Sequence, residues 1–155
     1  MRTLGITLGD PCGIGPEISA KALDYFCKKK LPFKFIVIGN KQSFLKACNL
    51  SGINSNNLLC IKKFIDIQSN LKYDNVPSSE AGEVSYQAIC KAAQLFKEKK
   101  IEAIVTAPIS KKSLHLAGYN FDGHTGLLGS LFKAQDPYLM LANKRFSTLH
   151  ITCHM

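Results

Sequence analysis

A chain of 155 residues, 46% hydrophobic and 20% charged, has the size of one ordinary domain and enough apolar residues for a core, which excludes a disordered tail or linker. No apolar run approaches the roughly 18 residues that span a bilayer, and Asp10 and Pro11 interrupt the N-terminus too early for the apolar region of a secretory leader; a cytoplasmic location without a membrane partner is expected. The formal charge is +9, with lysines clustered at 27–30, 97–100 and 110–112, but no aromatics interleave with them as in single-strand binders, so they read as a solvated surface without a nucleic-acid partner.

In chain order, "LGITL" (4–8) reads as a buried strand running into a glycine-rich turn. Pro16 and Glu17 fit a helix start, and Ile18, Ala22, Leu23 and Phe26 follow at helical spacing. "FKFIVIG" (33–39) is a continuous apolar strand of the kind found inside parallel sheets. "KQSFLKACNL" (41–50) is a short helix stopped near Gly52, and "NLLCIKKF" (57–64) is a weaker strand. Residues 65–83 are polar and irregular and read as a loop. The strongest helix is 83–100, where Val84, Ala88, Ala92 and Phe96 recur every four residues beside Ile89 and Leu95. "IEAIVTAP" (101–108) is a strand ending at a proline. A short helix follows, with Ser110 as N-cap and Gly118 beyond its end. "YLMLA" and "RFSTLHIT" are two strands across a polar "NKR" turn.

Strands alternating with helices predict an α/β fold with a largely parallel sheet. Ligands of such sheets bind beyond the C-terminal strand ends, which directs attention to Gly9–Pro16, Thr106–Lys111 and Thr152–His154. The first of these is neither a Walker A loop nor GxGxxG, since its glycines are at 9, 13 and 15 with no Gly-Lys-Ser/Thr; it is a tight turn that a ligand or another backbone can approach closely. In the second, Thr106, Ser110 and Lys111 suit either a strand-to-helix connection or an anion site. His124 and Thr125 follow a glycine in a polar loop and suit a ligand-binding pair, with an N-cap Thr beside an exposed His as the alternative. His150 and His154 are four residues apart, about 13 Å along a strand, too far to share one zinc at about 2.1 Å; His154, at the strand end, is the better ligand candidate. The six cysteines, Cys12, Cys27, Cys48, Cys60, Cys90 and Cys153, form no CxxC pair and are expected as reduced thiols in or near the core.

"GDPCGIGPEI", "PSSEAGEVSYQAI", "VTAPISKKSLHLAG", "DGHTGLL" and "ITCHM", in this order, resemble the 4-hydroxythreonine-4-phosphate dehydrogenases of pyridoxine and pyridoxal phosphate biosynthesis. The resemblance implies the isocitrate/isopropylmalate dehydrogenase-like α/β/α sandwich, with residues 1–115 in the first domain and 116–155 opening a second, dimerising domain. It implies a homodimer with an active site shared between subunits. The implied reaction is NAD- or NADP-dependent oxidation of 4-phosphooxy-L-threonine and decarboxylation to 3-amino-2-oxopropyl phosphate, with a divalent metal (zinc, magnesium or cobalt) on the alcohol oxygen. It places substrate binding on His124 and Thr125 and the first of three metal histidines on His154, with Asp10 and Lys111 as candidate catalytic groups. Gly126 stands where the family usually has an acidic residue, and Cys12 where it usually has alanine. The family is about twice this length, so the chain reads as a truncated N-terminal portion, or the product of a frameshifted gene, and inactive alone. A phosphate acyltransferase-like enzyme on a related fold and a non-catalytic basic binding module are the alternatives.

Overall fold

The computed structural model describes residues 2–71 and 76–150. Four strands, β1 (Arg2–Thr7), β2 (Phe33–Gly39), β3 (Ile61–Asp66) and β4 (Ala103–Thr106), form a parallel sheet in the order β3-β2-β1-β4. The register sets Thr7, the last residue of β1, beside Ile38 on one side and Thr106 on the other. The apolar run of β2 serves both faces. Phe35 and Val37 join Ile6, Leu8, Ala20, Leu23 and Phe44 in one core cluster, while Ile36 and Ile38 join Ala88, Ala92, Leu95 and Ile101 in another. Helices α1 (Gly15–Lys28) and α2 (Lys41–Leu50) therefore cover one face and α3 (Ser79–Lys97) the other, which explains a strand that is apolar at consecutive positions.

Caps set the helix limits. Asn40 accepts from the Ser43 amide at 2.8 Å to start α2, and Ser78 accepts from the Ala81 amide at 3.2 Å to start α3. The latter lies within the stretch expected to be loop, so α3 begins four residues before its apolar periodicity shows. Two expected core positions of α1 are different in the structure: Ile18 and Ala22 are exposed, and the buried side is Gly15, Pro16, Ser19, Ala20 and Leu23. The rotation follows from the helix start, because a Cβ on Gly15 would lie 2.1 Å from the Leu8 carbonyl oxygen; that contact presses the Gly15 side onto the sheet. Phe96 also lies outside the core, 41% exposed, with its edge against Phe132.

The expectation of six reduced cysteines is corrected: Cys27 and Cys60 form a disulfide with their Cα atoms 5.3 Å apart. Cys27 is one residue from the end of α1 and Cys60 immediately precedes β3. Their adjacency is a product of topology, and no local motif announces it. Cys12, Cys48 and Cys90 take part in no disulfide among the described residues, and burial pushes the Cys48 and Cys90 thiols up from their ordinary range.

After α4 (Lys111–Leu116) and α5 (His124–Phe132), the expected strand pair is present as an antiparallel hairpin, β5 (Leu139–Ala142) and β6 (Ser147–His150). Among the described residues it belongs to no larger sheet. Its apolar side chains face solvent, with Met140 60% and Phe146 66% exposed. A lone two-stranded ribbon is marginal in water. In the parallel sheet, β4 is an edge strand carrying an exposed Val105. Open edges and contiguous apolar patches promote association. The 155-residue chain is therefore expected to form concentration-dependent oligomers in size-exclusion chromatography with light scattering; a monodisperse monomer across a wide concentration range would contradict this. Among the described residues, no helix is long and apolar enough to cross a membrane.

Candidate functional site

The chain leaves β1 through Leu8, whose amide donates to the Ile38 carbonyl at 2.9 Å, and turns at Gly9 with φ +68°. The next amide, of Asp10, donates to the Pro108 carbonyl at 2.9 Å. The glycine-rich loop thus lies directly on the loop that follows β4. A Cβ at Gly9 would fall 2.0 Å from the Pro108 oxygen and 2.7 Å from that of Ala107. The close approach expected of this turn is to a neighbouring backbone.

Asp10 is buried. One carboxylate oxygen accepts from the Cys12 amide at 2.8 Å and the other from the Ser113 hydroxyl at 3.3 Å. Its side chain closes the turn and fastens it to α4. Ser113 is fully buried, and its amide donates to the Ser110 hydroxyl oxygen at 3.1 Å, which makes Ser110 the N-cap of α4 as expected. Helix α4 sits almost in contact with α3, since a Cβ on Gly82 would lie 2.0 Å from the Ser113 carbonyl oxygen. Lys111, the first residue of α4, is exposed.

From α4 the chain returns to the strand ends through residues 117–123. Tyr119 pins this return: its hydroxyl donates to Glu83 at 2.7 Å and its ring stacks on Tyr86 at 3.6 Å between centroids. The bond to the Glu83 carboxylate is the main cause that pushes the Tyr119 phenol up to about 12. Gly123, at φ +147°, is the N-cap of α5, and His124 and Thr125 are its first two residues. The pair expected in a loop therefore begins a helix. The alternative of a capping Thr beside an exposed His does not apply, because the cap is Gly123 and His124 is half-buried.

The His124 ring donates to the Ala107 carbonyl, while its Nε2 is buried without a hydrogen-bond partner. Burial pulls the imidazole pKa below its ordinary value, and the bond to Ala107 offsets part of that shift. The ring is thus neutral at pH 7, and with its proton on the Ala107 side Nε2 presents a lone pair. The Thr7 hydroxyl is a second buried polar group without a partner, on the strand residue whose carbonyl accepts the Ala107 amide at 3.0 Å. Gly9, Asp10, Ala107, Pro108, Ser113 and His124 thus form one bonded assembly at the C-terminal ends of β1 and β4. Sequence reading missed Thr7, Ala107 and Ser113. A hydroxyl at the end of an apolar strand was the available sign for Thr7; Ala107 acts through its backbone and gives none.

The segments line different cavities. His124 and Thr125 border one of about 290 Å³ with Leu128, Phe132 and Tyr138. Pro11, Cys12 and Gly13 border another of about 290 Å³ against α2. Gly126 is exposed, and a Cβ there would meet only Phe121, at 4.0 Å, so a side chain fits at this position. His154 lies outside the described residues. Among the described residues no group of three or more His, Cys, Asp or Glu is placed to hold a metal ion, so they do not by themselves make a metal site.

The lowered pKa of His124 has a consequence for stability. A histidine that is harder to protonate folded than unfolded lets the unfolded state bind more protons, so stability falls as pH drops through the ordinary value of 6.5 toward the folded one. His124→Gln is expected to lose less stability than the native chain between about pH 7.5 and 5.5, as read from urea midpoints at matched protein concentration. Equal losses would contradict the neutral buried ring.

Residues 28–155 match the family described as pyridoxal phosphate biosynthetic protein PdxA. The chain belongs to the PdxA family. It is 32% identical to D-threonate 4-phosphate dehydrogenase of Salmonella typhimurium, over 99% of this chain and 51% of that protein. It is 31% identical to 4-hydroxythreonine-4-phosphate dehydrogenase of Geobacter metallireducens, over 96% of this chain and 48% of that protein. Its fold superposes on the crystal structure of 4-hydroxythreonine-4-phosphate dehydrogenase from Klebsiella pneumoniae with a TM-score of 0.84 and 29% identity, covering 100% of this chain and 52% of the other. The chain spans about half the length of the curated relatives it matches. The expected family and the α/β fold of its isocitrate/isopropylmalate dehydrogenase-like class are both found in this PdxA chain.

Proposed function

We propose that the complete PdxA-family protein oxidises the secondary alcohol of a phosphorylated C4 acid with a nicotinamide cofactor and a divalent metal, and that this chain supplies the substrate-facing His124 and Thr125. The observation that carries the reading is the buried, unpartnered Nε2 of a neutral His124 at the C-terminal strand ends, where such folds bind ligands. A lone pair held there accepts a hydrogen bond from a substrate hydroxyl; an imidazolium would not. The nearby bonds of Asp10 to Ser113 and to the Cys12 amide hold the supporting loops in place, a positioning role. The exposed Lys111 is free to meet a phosphate or carboxylate as a point charge. The metal, when bound, stabilises the charge that develops on the alcohol oxygen. His154 is read as one of its ligands, and the homodimer as the assembly that completes the site.

The preferred substrate is 4-phosphooxy-L-threonine. Its oxidation gives a β-keto acid that loses carbon dioxide to form 3-amino-2-oxopropyl phosphate. The relatives are named for two substrates, this one and D-threonate 4-phosphate, which share the phosphate, the carboxylate and an oxidisable alcohol. That the named relatives are dehydrogenases favours this reading over an acyltransferase or a basic binding module. The test is NADH formation by the complete protein with each substrate and added zinc or magnesium. Turnover of 4-phosphooxy-L-threonine is expected; turnover of D-threonate 4-phosphate alone would reassign the substrate, and turnover of neither would overturn the reading. The 155-residue chain alone is expected to be inactive, and measurable turnover by it would show that it carries a complete site.

A further inference from the structure

At the N-terminal ends of the strands, opposite the candidate site, a cleft of about 690 Å³ is lined by Lys28, Lys30, Lys34 and Asp24 and by both members of the Cys27–Cys60 disulfide. Three features meet there. The first is charge: three lysines face one carboxylate. Lys28 pairs with Asp24 at 2.6 Å, and the Lys34 ammonium donates to the Leu59 carbonyl at 2.9 Å. Lys30 follows α1 with φ +50°, in the left-handed region, and is exposed. The second is unequal access: Cys27 is half-buried, whereas Cys60 is 8% exposed and part of the core cluster. The third is room, since the cleft exceeds the lower size of ordinary small-molecule pockets.

We propose that this cleft is a thiol-exchange site, at which a small anionic thiol opens the Cys27–Cys60 disulfide and is held as a mixed disulfide on Cys27. The lysines concentrate the anion, and its thiolate attacks the sulfur of Cys27, the more exposed residue of the pair, in line with the disulfide. A new S–S bond forms to Cys27 while the Cys27–Cys60 bond breaks, and Cys60 leaves as a thiolate that takes a proton from solvent. A second molecule of the same thiol then attacks the adduct, releasing the small-molecule disulfide and leaving both cysteines reduced; two thiols are oxidised for one protein disulfide reduced. This inference is independent of the proposed dehydrogenase activity.

Glutathione and its diethyl ester are the probes, because the ester keeps the thiol and masks both carboxylates. The native chain is incubated with each, quenched in acid, and read by intact mass and peptide mapping. Glutathione is expected to form the adduct about tenfold faster than the ester at low ionic strength, with the advantage lost in high salt, and the adduct is expected on Cys27. Lys30→Glu should shrink the preference several-fold. Equal rates for the two probes, an adduct on Cys60 or mainly on a free cysteine, or alkylation showing no two additional thiols after reduction would each overturn the proposal.

Discussion

Gly9→Ala is expected to destabilise the chain by about 2–5 kcal/mol, combining the cost of a side chain in the left-handed region with that of overpacking. Gly9 has φ +68°, and the added Cβ would meet two carbonyl oxygens, those of Pro108 and Ala107, rather than mobile side chains. Relief requires that the β1 turn move off the loop after β4, which breaks the Asp10–Pro108 hydrogen bond and separates the two segments of the candidate site. Gly52→Ala is the control. Gly52 has nearly the same φ, +66°, but open space where its Cβ would be, so only the conformational cost of about 1–2 kcal/mol applies. Since a domain of this kind has about 5–15 kcal/mol in total, Gly9→Ala should leave little folded protein at moderate urea, and Gly52→Ala most of it. Equal midpoints for the two variants would show that the contact of the two loops is not what fixes Gly9.

Replacing both Cys27 and Cys60 by serine, or reducing the bond, is expected to cost about 4 kcal/mol by the loop-entropy relation, since the cysteines are 33 residues apart in sequence. The loop they close contains β2 and α2, which supply much of one core cluster, so freeing it enlarges the unfolded ensemble that folding must order. The measurement is the urea midpoint with and without reductant, read against the serine double variant. The reduced native chain and the variant should agree, and both should lie well below the oxidised chain. Coincidence of all three would mean that the bond contributes nothing to stability.

Where local chemistry decides the outcome, the structure follows the sequence closely. Residues 33–39 form a strand at the expected limits because a strand buried on both faces is continuously apolar where it is buried, here from Phe35 to Ile38. Helix α4 is framed by Ser110 and Gly118 as expected because caps act within a turn. Where distant segments decide, the sequence is silent. The buried side of α1 is set by the contact of Gly15 with Leu8, and apolar spacing alone points to Ile18 and Ala22. The disulfide depends on the end of α1 reaching the start of β3. The same division holds at the site. Each motif is visible, yet the link from His124 to Ala107 depends on the return of the chain through Tyr119, and a neutral imidazole is a product of that burial.

We propose that the turn after β1 and the start of α5, which border separate cavities in this chain, meet with the loop after β4 on one substrate in the complete protein. Hydrogen exchange of the complete protein, with and without 4-phosphooxy-L-threonine, tests it most directly. Slowed exchange is predicted in peptides covering 9–16, 106–111 and 123–126 together. Protection confined to one of them, or found only elsewhere, would contradict the account.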